Sequence, residues 1–98
     1  MASLHVAFCD VGTVRRGGLL HVADGDSAVS STLTTSGSNT QSAVTTKSHV
    51  RVVGDAAHWI AFGASPDATV TTGRYYLPSG VVEYFELDAG QKVAAVTA

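Results

Sequence analysis

Hydrophobic and polar residues alternate with a period of two in several short runs of this chain, and no run keeps a helical period over ten residues. In a strand predicted over Ser3 to Phe8, Leu4, Val6 and Phe8 share one face, while His5, Ala7 and the following Cys9 share the other. Asp10 to Gly18 reads as a loop, broken by Gly12, Gly17 and Gly18. Leu19 to Ala23 reads as a short strand, closed by a hairpin-type turn at Asp24-Gly25-Asp26. The second half carries most of the burial capacity. Strands are expected over Val50 to Val53, His58 to Gly63, Tyr75 to Leu77, Val81 to Leu87 and Lys92 to Val96. Asp55 after Gly54, Pro78-Ser79-Gly80 and Asp88-Ala89-Gly90 supply turns, and the last of these is expected to join two strands as a hairpin. His58 to Gly63 is apolar on both faces, with Trp59 and Ala61 opposite Ile60 and Phe62, which predicts a central strand. Ala64 to Thr72 reads as a loop around Ser65-Pro66-Asp67, with room for a short strand at Thr69 to Thr71.

Ser30 to Ser48 stands apart, because twelve of its nineteen residues are Ser or Thr. Thr suits strands, and Ser36-Gly37-Ser38-Asn39 suits a turn. Two readings stay open: a solvated polar hairpin at a sheet edge, or an extended arm that orders only against a partner. The fold class that follows is all-β, a small antiparallel β-sandwich or β-barrel of jelly-roll-like kind. It would have seven or eight short strands in one domain over residues 1–98, with the polar hairpin or arm at 30–48.

Composition narrows the function classes. A chain of 98 residues gives one domain, which gains from oligomerisation if its core is marginal. Cys9 is the sole cysteine, so no disulfide forms within the chain, which suits a reducing cytoplasm. Charged residues make up only 14% of the chain, against an average near 25%, so the surface tolerates contact with other proteins. A net charge of −2, with only Arg15 and Arg16 adjacent among the basic residues, argues against nucleic-acid binding. The opening MASLHVAF has neither the basic leader nor the apolar length of a signal peptide, and no run approaches a membrane span.

Candidate chemistry is sparse. His5 and Cys9 share a strand face but lie about 13 Å apart at ~3.3 Å per residue, too far to share one ion, and His21, His49 and His58 fall on separate strands. Asp24 and Asp26 lack the remaining acids of a calcium loop. No G-x-S-x-G elbow is present, and Glu83 and Glu86 point to opposite faces of one strand. No catalytic residue, metal site or cofactor is therefore expected. Of the aromatics, Trp59 is expected in the core. Tyr75 and Tyr76 must place one ring on each face of their strand, which makes the pair the best candidate contact residues.

The runs Trp59 to Thr69 (WIAFGASPDAT), Leu77 to Phe85 (LPSGVVEYF) and Gly90 to Val96 (GQKVAAV), with Gln41 to Ala43 and Val50 to Val53 upstream, resemble small proteins encoded in tailed-bacteriophage genomes. The resemblance covers about half the chain. It implies a virion component, foremost a capsid decoration (cement) protein that binds the major capsid protein, self-associates on the capsid exterior, and is assembled in the host cytoplasm. On that reading Arg15, Arg16 and their glycines form a contact loop, Ser30 to Ser48 is a contact element, and an exposed β-edge adds to a neighbour's sheet. The rival expectations are a carbohydrate- or receptor-binding β-module of the virion, and a head–tail connector or tail component.

Overall fold

The computed structural model describes residues 2–13, 21–23 and 28–98, and among these there are ten strands and no helix. They are β1 (Ala2–Cys9), β2 (Val11–Thr13), β3 (His21–Ala23), β4 (Val29–Thr35), β5 (Thr40–Gln41), β6 (His49–Gly54), β7 (His58–Gly63), β8 (Tyr75–Leu77), β9 (Glu83–Glu86) and β10 (Lys92–Thr97). Eight of them form two antiparallel four-stranded sheets, in the orders β4-β1-β6-β9 and β5-β10-β7-β8, and β2 pairs with β3 as a separate ribbon. The architecture is a sandwich of two open sheets rather than a closed barrel.

The period-two pattern places the core. On the first sheet Leu4, Val6, Phe8, Leu33, Val50 and Val52 point inward. On the second, Ile60, Leu77, Val93 and Ala95 meet them, with Leu87 joining from the chain after β9. Burying each Leu, Ile or Val contributes about 1.5–3 kcal/mol. β7 lies between β10 and β8, as a central strand requires, and its two apolar faces are covered by the main core on the side of Ile60 and by the small cluster of Ala68, Ala94 and Val96 on the side of Ala61.

One buried polar group ties the sheets together. His58, at the start of β7, is fully buried, and its Nδ1 lies 2.7 Å from the Ala56 carbonyl. That carbonyl can only accept, so Nδ1 carries the proton. In the uncharged ring Nε2 then accepts from the Thr35 hydroxyl of β4 at 2.6 Å, across the gap between the sheets. Gly54 makes room for this ring: a Cβ there would sit 2.5 Å from His58 Nδ1 and 2.7 Å from the Ala56 carbonyl. The Gly54 carbonyl accepts from Gly80 N–H at 2.9 Å, and the turn at Gly80 needs its φ of +74°. Ser3 N–H donates to the Asp55 carboxylate at 2.8 Å, and Thr97 N–H to the Ser36 carbonyl at 2.8 Å, closing the same pole.

Several expected elements resolve differently. Residues 81–87 and 92–96 do not form a hairpin: β9 pairs with β6 in one sheet, and β10 lies between β7 and β5 in the other. The Asp88-Ala89-Gly90 turn therefore carries the chain between sheets, since turn chemistry reverses a chain without selecting its partner. Likewise β4 and β5 belong to different sheets, so the Ser/Thr-rich stretch 30–48 crosses between them. It is also fastened: Thr35, Ser42 and Thr45 are buried, Ser42 N–H donates to the Val93 carbonyl, and Thr45 N–H donates to the Gln91 carbonyl. The loop expected over Asp10 to Gly18 contains β2, paired with β3 in register Val11 to Ala23. Thr69 to Thr71 is not a strand: Val70 N–H bonds the Asp67 carbonyl in a turn. The predicted turn at Asp24-Gly25-Asp26 and residues 14–20 lie outside the described residues.

The His58 bridge yields a double-mutant prediction. His58→Leu strands the buried Thr35 hydroxyl, takes the partner from the part-buried Ala56 carbonyl, and is expected to cost about 2 kcal/mol or more. Adding Thr35→Val removes one stranded group, so the double variant should recover part of that loss in urea unfolding. Additive losses would mean that the hydrogen bond contributes nothing to the joining of the sheets.

Candidate functional site

β8 and β9 are the edge strands on one flank of the sandwich, and the aromatic side chains gather there. Tyr75 and Phe85 approach with ring centroids 5.2 Å apart, and Phe62 completes the triad at 4.7 Å from Phe85 and 6.2 Å from Tyr75. Tyr75 has inward parity, opposite Ile60. Its strand is at the edge, so the ring covers the open side of the core and stays 54% exposed. Tyr76 has outward parity and meets Trp59 edge-on at 5.1 Å, with 53% of its surface exposed. Both sequence-predicted tyrosines are thus on the surface, supported from beneath by other rings. Arg15 and Arg16 lie outside the described residues.

Three further residues join this flank. Tyr84 on β9 is the most exposed of the three tyrosines at 56%, and Val81 and Val82 are exposed in the connection just before it. The alternation in Val82-Glu83-Tyr84-Phe85-Glu86 carried the signal, since Phe85 pairs with buried Val50 and leaves Tyr84 facing out. The flank is acidic on β9, through Glu83 and Glu86, and basic beside β8, through Arg74.

Trp59, expected in the core, lies instead half-buried on the outer face of the second sheet. Its strand parity opposes that of Ile60, whose side chain faces the core between the sheets. On the outer face Trp59 packs with Ala61, Ala68, Ala94 and Val96 under the loop of residues 64–73, and the Arg74 guanidinium sits 3.9 Å above its ring centroid. Arg74 also donates to the Ala68 carbonyl at 3.2 Å. Asn39 holds the loop from the other side: its Nδ2 donates to the Pro66 carbonyl at 3.1 Å, and its Oδ1 accepts Ala68 N–H at 2.9 Å. Gln41 adds a second donor to Pro66 at 2.8 Å. The Asp67 carboxylate accepts from the Thr69 hydroxyl at 2.6 Å and from Thr69 N–H at 2.9 Å, which holds its pKa below the ordinary 3.8.

On the outer face of the first sheet, His5, Ala7, Ser30, Thr32 and Arg51 line a shallow, open depression of about 330 Å³. Among the described residues no three His, Cys, Asp or Glu side chains converge on a point where an ion could sit. Compared with protein-family models, curated proteins and solved structures, the chain finds no match.

Two outcomes are expected for the loop over Trp59. Asn39→Ala should speed amide exchange at Ala68 by about tenfold or more, because the buried N–H loses its acceptor; unchanged exchange would show that the loop is held by apolar contact alone. Asp67 is charged more readily in the folded chain, so its contribution is complete above pH 3.8 and lost as pH falls through its lowered value. Thr69 amide exchange should therefore accelerate in acid in the parent and be independent of pH-linked protonation in Asp67→Ala, after correction for intrinsic rates.

Proposed function

We propose that this chain is a bacteriophage virion structural protein, a capsid decoration protein that binds the major capsid protein and stabilises the head. The observation that carries the reading is the flank of β8 and β9. It combines three exposed tyrosines and two exposed valines with a rigid aromatic base, on a chain of low charge. Tyrosines ordered before contact lose little conformational freedom on binding, and such residues dominate protein interfaces. The phage-like runs Trp59 to Thr69 and Leu77 to Phe85 build this flank and the loop beside it. The protein then belongs on the capsid exterior, in contact with copies of itself, after assembly in the host cytoplasm, with no part for nucleic acid, membrane or cofactor. Attachment to the shell would also stabilise a small core by mass action.

The exposed tyrosines favour one second reading, a carbohydrate- or receptor-binding module of the virion. Against it, Trp59 is capped by Arg74 and Tyr76, and so offers no open face for a sugar ring. A head–tail connector or tail component would use the same flank in fewer copies.

Quantitative mass spectrometry of purified virions separates these readings. Shell decoration predicts copy numbers at, or at a simple fraction of, the major capsid protein. A handful of copies would place the protein at the connector or tail, and absence from virions would overturn the structural reading. On isolated capsids, Tyr76→Ala with Tyr84→Ala is expected to weaken binding by about tenfold or more, as loss of aromatic anchors does. Full affinity in that variant would remove the flank from the interface.

A further inference from the structure

The four outer strands of the sandwich are not equally protected. β5 has two residues, β8 has three, and β9 has four, two of them glutamates. Short length and charge are the usual means by which a sheet edge avoids pairing with another chain. β4 has neither. Its seven residues, VSSTLTT, include no charge and no proline, and they run in unbroken register along β1 from Ala2–Thr35 to Phe8–Val29 without a bulge. Among the described residues β1 is its only sheet partner, and five of its seven residues are exposed, including Val29 at 54%.

We infer that β4 is a dimerisation strand, which pairs antiparallel with β4 of a second copy about a two-fold axis at Thr32. The choice of occupant follows from charge and closure. Thr32 is the middle residue, so an axis there overlaps all seven residues. It places Ser30 opposite Thr34 of the other copy and Ser31 opposite Leu33, with no charged pair anywhere in the ladder. Such an overlap forms about six to eight backbone hydrogen bonds, and hydroxyl pairs such as Thr–Thr add to it. Pairing β4 with β9 of another copy would match only four residues and would leave a free β4 and β9 at each end, which propagates into a fibre. Two-fold pairing closes instead, and it joins two four-stranded sheets into one of eight. This pairing depends only on the residues of the strand and its neighbours, and holds whether or not the protein sits on a capsid.

The test is the solution mass of the purified chain by sedimentation equilibrium at micromolar concentrations. A species of twice the 10.0 kDa chain mass is expected. Ser30→Lys with Thr34→Lys sets like charges face to face twice across the axis and should raise the dissociation constant by about tenfold or more. Ser30→Lys with Thr34→Glu sets opposite charges face to face and should restore the dimer. Thr32→Cys, whose two copies meet on the axis, should give an interchain disulfide under mild oxidation, which the parent with its buried Cys9 should not. The disulfide result reads the interface even if a charged variant fails to fold, which far-UV circular dichroism would reveal. A parent that stays monomeric to about 100 μM would overturn the inference, as would a dimer that persists in the doubly lysine-substituted variant, failure of the charge swap to restore it, or no disulfide through position 32. Capsid binding by a monomeric parent would leave the decoration reading intact while removing this one.

Discussion

The hydrogen bond from Thr35 to His58 is the constraint on which the sandwich depends. Apolar contact between two sheets is non-directional, so it leaves their relative position loosely specified. A buried imidazole with two partners is directional at both nitrogens. Its ring is anchored to its own sheet through Ala56, and it reaches the opposite sheet through Thr35. Inside a low-dielectric core an unpaired nitrogen or hydroxyl is expensive, so a slipped arrangement of the sheets loses more than a slipped set of methyl groups would. Gly54 is a consequence of this bridge, since a side chain at that position would displace the ring. The bonds from Asp55 to Ser3 and from Thr97 to Ser36 gather around the same pole and hold the strand ends that carry Thr35 and His58.

From that pole the chain builds three surfaces of different character. The outer face of the second sheet is closed by its own loop, fastened through Asn39, Gln41 and Arg74 over a small cluster of alanines, Val96 and Trp59. The flank of β8 and β9 is open and aromatic, with Tyr75 serving both as a lid on the core and as surface. The opposite flank, β4, is open and uncharged, with backbone rather than side chains as its main offering. β4 and β9 are the two ends of one sheet. A pair of chains joined through β4 would therefore carry its tyrosine flanks at the two far ends of an eight-stranded sheet, both free to meet another protein. Self-association and attachment to a shell would then use separate surfaces and need not compete.

The Ser/Thr-rich stretch shows how polar composition can serve a core. Half-polar residues such as Thr35, Ser42 and Thr45 are buried because each hydroxyl meets a specific partner: an imidazole nitrogen, the Ala43 carbonyl with the Val93 amide, and the Lys47 backbone. Thr45 and Ser42 take over from the ladder where β5 ends after two residues, so the segment runs beside β10 without regular pairing. Solvation alone would have left them exposed.

The all-β class, the shared face of Leu4, Val6 and Phe8, the central place of β7 and the placing of Tyr75 and Tyr76 on opposite faces of their strand were legible in the sequence, because strand parity is a local property that alternation records directly. Strand partnership was not. Asp88-Ala89-Gly90 reads as a hairpin turn and is a crossover, and the stretch 30–48 reads as a hairpin or arm and bridges both sheets, since a turn residue sets local dihedral angles while the partner is chosen by burial far along the chain. Trp59 reads as core by hydropathy, yet parity sends it to the outer face, where only the folded loop with Arg74 makes that position half-buried. Tyr84 and the bare edge of β4 belong to the same class of fact. Whether a strand ends a sheet is decided when all strands have found their places, and that is a property of the tertiary structure alone.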